Sequence, residues 1–251
     1  MSEFYKAKPI KRFAAYVIDM ILLLAITFGV MVPMCSWLGY ANSREELVPF
    51  YEKYSQEYGI DLQISGTEYD ELSEKQKEAY DKAYDAMNQD KEALYVMNKI
   101  LFTVLASAAA GFLVGYAILE VALPLIFKNG QTIGKKAMKL CVMHKDHVLV
   151  SPWQVIFRAI LGKYFIGTLI PMVLLALPEL KIWIISGSFI LAIIAMTQAF
   201  IVLMSQANCG IHDKLFNTVV ADFEQQYIFD TLEERRAYDA ELAAREEAYG
   251  Q

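Results

Sequence analysis

Asp19 sits inside an apolar run that extends from residue 13 to residue 38, and that placement constrains the chain more than any other feature. A soluble amphipathic helix turns a carboxylate to its wet face, but the flanking "FAAYVI" and "MILLL" leave no wet face to turn to. A run this long reads as a membrane span, since about 20 apolar residues in a helix cross the hydrocarbon of a bilayer. Runs at 100–127 and 182–204 meet the same length. A shorter one, 164–177, is extended on its N-terminal side by an amphipathic stretch whose Arg158 and Lys163 reach for the interface. These runs predict an all-α fold: a transmembrane helix bundle of four spans, with three as the alternative.

The chain is 56% hydrophobic and 21% charged, so the charge has to be segregated between the runs. Lys6, Lys8, Lys11 and Arg12 precede span one, and Lys128, Lys135, Lys136, Lys139 and Lys145 follow span two. Both groups belong in the cytoplasm by the positive-inside rule. The segment 39–99, with 14 acidic and 7 basic residues, then lies outside, as does the "LPELK" turn at 177–181. Four spans return the tail to the cytoplasm; three do not. The first run is too long for a signal-peptide core, carries Asp19, and lacks small residues before Cys35, so it is expected to remain as an anchor. Cys35, Cys141 and Cys209 are scattered and odd in number, which gives no disulfide framework.

The expected organisation is a cytoplasmic N-terminus with span one (1–38), an acidic helical extracytoplasmic insertion (39–99), spans two to four with a basic cytoplasmic connection at 128–153 (100–204), and a cytoplasmic tail with an amphipathic helix (205–251). In the insertion, Ser43 with Glu46 and Ser73 with Gln76 have capping-box spacing. Tyr51, Tyr54 and Tyr58 share one helical face, and Tyr80, Tyr84 and Met87 another, so two helices can pack through tyrosines. Gly59 and Gly66 mark breaks. Without proline or glycine from Ser73 to Ala110, the second helix is expected to run unbroken into span two. Thr231 and Glu234 are placed to cap a tail helix that runs to about residue 248.

"GQTIGKK", 130–136, is one residue short of a phosphate-binding loop and has lysine where Ser or Thr is required, so nucleotide binding is not expected. Cys141, His144 and His147 are metal-ligand candidates by their spacing, but "LCVMHKDHVLV" also reads as a short strand or hairpin, and no metal or other cofactor is expected. No nucleophile and base are suggested by spacing, so the chain reads as no enzyme. "GFLVG", 111–115, after "ASAAA", lets helix backbones approach closely, more for internal packing than for dimerisation.

The charges inside the spans carry the functional signal. Asp19 lies six residues past Phe13 and Glu120 seven before Phe127, so each is about 9 to 10 Å from the same membrane face at 1.5 Å per residue. Arg12 shares a helix face with Asp19, and Arg158 enters span three from the same side. Pro124 frees the carbonyl of Glu120, four residues earlier. One reading is a polar pocket that binds a cation or exchanges protons; the other is an ion-pair network that fixes helix register.

"RFAAYVID", "GQTIGKKAMKLCVM" and "IHDKLFNTVVAD" occur in this order at the start of span one, after span two and after the last span. With these segments the chain resembles the RDD family of small multi-pass membrane proteins, named for one arginine and two aspartates. The resemblance covers most of 10–38 and 100–222. It gives Arg12 and Asp19 as matching residues, adds His212 and Asp213, and places Asp213 at the cytoplasmic mouth. Where the family segment usually continues with glycine and then arginine, this chain has Lys139 and Cys141, and "NCG", 208–210, stands where basic residues are common. The resemblance implies transport, with cation/proton antiport proposed for some members.

The expected function is therefore a small cation or proton-coupled transporter of a bacterial-type cell membrane, with both termini cytoplasmic. Its ion-binding or charge-network residues are Asp19, Glu120, Arg12, Arg158, His212 and Asp213. The alternative is a non-transporting adaptor or regulator that binds another membrane protein through the acidic insertion or the C-terminal helix. The expected partners are the lipid bilayer, a monovalent cation or proton, and a second copy or another membrane protein; nucleic acid is not among them.

Overall fold

The computed structural model describes residues 7–161 and 211–249. The expected spans at 164–177 and 182–204 and the turn between them lie outside these residues. The described chain is mainly helical, and two of its helices are long and apolar enough to cross a membrane. The first, α1 (Pro9–Trp37), opens on a proline, whose missing amide hydrogen costs nothing in a first turn. It leaves Phe13 and Val32 each 67% exposed and buries only Ala15. An apolar exterior of this kind is stable against lipid and not against water.

The described residues form two compact units, one of Leu24–Gly115 and one of the residues before and after it. In the first, α2 (Tyr40–Tyr58) ends on Gly59, whose φ of 66° closes the helix in the left-handed conformation. The short α3 (Gly66–Asp70) precedes α4 (Glu74–Gln89). Helices α2 and α4 pack through most of the expected tyrosine faces: Tyr54, Ala83 and Met87 are buried, with Tyr51, Tyr58 and Tyr80 against them, while Tyr84 stays exposed and stacks on Tyr80. The Ser73–Gln76 pair caps α4, as the Ser73 amide donates to Gln76 Oε1 at 3.0 Å.

Ser43 does not cap. Helix α2 begins three residues earlier, after Gly39 at φ 78°, so Ser43 lies inside the helix, buried, and its hydroxyl has no hydrogen-bond partner. Glu46 instead accepts from Lys99 at 2.9 Å. A capping box that the sequence reading missed, Ser65 with Glu68, opens α3.

The expected unbroken helix is also interrupted. Asp90 takes an extended conformation between α4 and α5 (Lys91–Tyr116), because its Oδ1 accepts the amides of Glu92 and Ala93 and so starts a new helix. Its Oδ2 accepts from Tyr54 at 2.9 Å and Lys53 at 3.2 Å. These donors, Tyr54 foremost, hold the Asp90 carboxyl down at about 2. A carboxyl lowered on folding contributes stability above its ordinary value of 3.8 and loses it as pH falls toward 2. Asp90→Asn is therefore expected to melt below wild type at pH 7 and to converge with it near the acid end. Circular dichroism melts against pH check this, and a constant gap at all pH values counts against it.

On α5, Thr103, Ser107, Gly111 and Gly115 form a buried stripe of small residues, and Phe102 on the opposite side is 72% exposed. A Cβ on Gly111 would run into the carbonyl oxygen of Thr27 on α1, so this glycine serves close internal packing. Past Tyr116 the helix changes to π register over Ala117–Ala122, returning to α in α6 (Leu123–Ile126). Pro124 is the physical cause at hand, because it offers no amide to the carbonyl four residues before it.

In the other unit, α7 (Ile133–Ala137) leads into strand β1 (Leu140–His144), and α8 (Pro152–Phe157) is capped by Ser151 and Gln154. After the undescribed stretch come α9 (Ile211–Leu215), β2 (Thr218–Asp222) and the tail helix α10 (Leu232–Tyr249), whose Glu234 amide donates to Thr231. Strands β1 and β2 pair antiparallel with Val142 opposite Val220. One face of the sheet, Leu140, Val142 and Val220, packs with Ala15 of α1; the other, Cys141, Met143 and Ala221, packs with Ile228. The expected hairpin exists as a bridge from Met143 to Leu149, but the main partner of β1 comes from the other end of the chain.

Lys139, just before β1, has φ 57°. That conformation disfavours a side chain, and it falls where the resembled family usually has glycine. Lys139→Gly is expected to raise the melting temperature by roughly 2 to 4 °C. It does so despite losing the exposed Lys139–Glu224 ion pair. An unchanged or lower melting temperature counts against strain at this position.

Candidate functional site

The acids that the sequence singled out sit in one unit, and Asp19 and Asp213 are held by separate sets of donors. Asp19 Oδ2 accepts from the Thr132 hydroxyl at 2.5 Å, and its Oδ1 accepts from the Gly134 amide at 2.7 Å. Thr132 is the N-cap of α7, and its hydroxyl also accepts from the Lys135 amide. The first-turn amides of α7 are thus satisfied from two sides, by its own threonine and by a carboxylate of α1. The glycines follow from the same geometry. A Cβ on Gly134 would collide with the carbonyl oxygen of Ala15 and stand 2.9 Å from Asp19 Cγ, and Gly130, at φ 63°, lies against Val142. Gln131 completes the segment by donating to the Leu140 carbonyl at 2.7 Å. "GQTIG" is therefore a clasp that fastens the loop to span one.

Asp213 forms the second set. It is fully buried, and Arg158 donates to its Oδ1 from Nε at 3.0 Å and from Nη2 at 2.6 Å. Arg12 Nη2 reaches its Oδ2 at 3.4 Å, and the Thr218 hydroxyl donates to Oδ1 at 3.4 Å. The expected pairing of Arg12 with Asp19 is thereby replaced. Seven residues share a helix face, but the arginine turns to a carboxylate 201 residues away, which local spacing cannot reveal. Lys11 repeats the pattern beside it, 2.7 Å from Asp222, and lowers that carboxyl.

Glu120 is the third acid. It lies within the π-helical segment and lines a cavity of about 10 Å³, room for one water, together with Pro124, Gly130, Gln154, Arg158 and Thr218. Arg158 itself lies in π register, at 158–161. Asp19 is not among the residues that line this cavity. Thr132, Gly134 and Thr218 are the network members that the sequence reading missed; the polar residues of "GQTIG" were the available signal. For His212 only its position in α9 is described.

Cys141, His144 and His147 are not brought together. Cys141 is buried with its thiol toward the Ala221 carbonyl, and burial pushes the thiol up to about 12, where it stays protonated. His144 faces Asp146 at 3.1 Å and His147 faces Gln226 at 2.7 Å. Among the described residues no group of three His, Cys, Asp or Glu side chains is placed to hold a metal ion.

Two helices of membrane length with lipid-suited exteriors, the first fastened through Asp19 to a basic loop, fit a membrane protein. The RDD family model matches residues 6–217, more than four-fifths of the chain, and the chain belongs to that family. No curated protein and no solved structure matches it.

Proposed function

We propose that this protein moves protons, alone or coupled to a small cation, across a bacterial-type cell membrane with both termini cytoplasmic, and that Glu120 is the exchanging group. The observation that carries this reading is the position of Glu120, on a π-helical interruption at the wall of a one-water cavity. Interruptions of this kind redirect side chains and recur at functional sites. Asp19 and Asp213 have their oxygens on Thr132, Gly134 and the two arginines, which suits a fastening role. In this reading Asp19 holds the clasp and Glu120 takes up the proton. Arg158 lines the same cavity, and its positive charge counts against a bare cation resting there. No catalytic step and no cofactor enters this reading.

The tight fastening of Asp19 and Asp213 favours a second reading, in which the charges hold the bundle and the protein is a non-transporting adaptor working through its tyrosine-packed insertion. Reconstitution into liposomes with a pH-sensitive dye separates the two. Wild type is expected to carry a cation-dependent proton flux that Glu120→Gln reduces at least about tenfold, a barrier change of about 1.4 kcal/mol. Equal flux from both proteins removes Glu120 from the mechanism. No flux from wild type, with the fold intact, leaves the adaptor reading, which deletion of 43–95 then tests through loss of phenotype.

A further inference from the structure

The loop that leaves the second apolar helix has a chemistry that the charge network does not use. Ile126, at the helix end, is 68% exposed, and Ile133 on α7 is exposed beside the exposed Lys136 and Ala137, at helical spacing. Lys136 Nζ stands 4.0 Å over the ring of Phe127, which brings α7 back onto the helix end next to exposed Lys128. Lys11 is matched by Asp222 and Lys139 by Glu224, whereas among the described residues no acid stands within ion-pair distance of Lys128 or Lys136. Exposed ammonium groups interleaved with exposed isoleucines suit neither water nor hydrocarbon alone; they suit the layer between the two. Continuity places them there, because the loop emerges where a membrane-crossing helix ends. Helix α8, which packs against α6, presents Trp153 and Phe157 with ring centroids 6.1 Å apart, side chains typical of that layer.

We propose that Lys128 and Lys136, with Ile126 and Ile133, form a seat for an anionic phospholipid. The two ammonium groups flank the headgroup phosphate, and the isoleucines receive the start of the acyl chains. The isoleucines select a lipid over free phosphate, which offers nothing for them to cover. The seat rests on the membrane placement of the chain and not on ion movement through Glu120, so either proposal can fail without the other.

The test uses the full chain in nanodiscs of mixed phosphatidylglycerol and phosphatidylcholine, with retained lipid counted by native mass spectrometry after extraction. Wild type is expected to retain phosphatidylglycerol preferentially, with about a fivefold contribution from each lysine. Lys128→Gln with Lys136→Gln is expected to remove that preference, and Lys75→Gln with Lys77→Gln, in the insertion, to keep it. An unchanged melting temperature shows that the loop variant is folded; if it is not, Ile133→Ser alone, with the lysines intact, is expected to weaken retention. Equal retention of the two lipids by wild type overturns the proposal, as does an unaltered preference in the folded lysine variant. Displacement of phosphatidylglycerol by excess inorganic phosphate also overturns it, because the site then reads only the anion.

Discussion

Asp213→Ala is expected to destabilise the protein by about 3 to 5 kcal/mol, the cost of leaving a buried counter-charge alone. Two guanidinium groups meet this carboxylate, and Arg158, with its side chain 8% exposed, cannot turn to water when the carboxylate is gone. Arg12, at 15%, is little better placed. The loss should show as a lower melting temperature and poor recovery from the membrane. The diagnostic step is the double variant Asp213→Leu with Arg158→Met. Replacing the closer, more buried pair by apolar groups of similar volume leaves only the more exposed Arg12 without this carboxylate, so the double variant should be more stable than Asp213→Ala alone. If the two changes add, the residues are not coupled and the network is wrongly assigned.

That network marks where reading the chain in order stopped being sufficient. The apolar runs predicted both described membrane-length helices, because the length of an apolar run fixes how much helix lipid can cover. Direction around the helix is not fixed in this way. It depends on which partner arrives, and the partners are remote: Thr132 lies 113 residues after Asp19, and Asp213 lies 201 residues after Arg12. Local rules also competed with one another. Ser43 has the spacing of a cap, yet Gly39 starts the helix first; Asp90 breaks a helix that lacked proline and glycine, because its side chain substitutes for the backbone acceptors of the next turn. Strand β2 has β-branched residues but pairs with a segment far back in the chain. Its short sequence alone could not announce that partner.

The clasp at Asp19 makes a sharper claim, because it predicts opposite signs for the same substitution at two glycines. Gly29 lies within α1 with nothing inside 4 Å of where a Cβ would stand, so Gly29→Ala is expected to stabilise by about 1 kcal/mol through helix propensity. Gly134→Ala puts its methyl into the carbonyl oxygen of Ala15 and against the carboxyl carbon of Asp19. Neither neighbour can retreat cheaply. The first is helix backbone, and the second is held by Thr132 and by the Gly134 amide itself. The expected cost is about 1 to 3 kcal/mol, as for other overpacked sites. Asp19→Asn supplies the control on chemistry: the side-chain oxygen still accepts from Gly134, and the Thr132 hydroxyl can rotate to accept from the new amide. The loss should therefore stay near 1 kcal/mol. Melting temperatures of the three variants decide the matter, and Gly134→Ala melting with wild type would show that "GQTIG" is not seated on span one through Asp19.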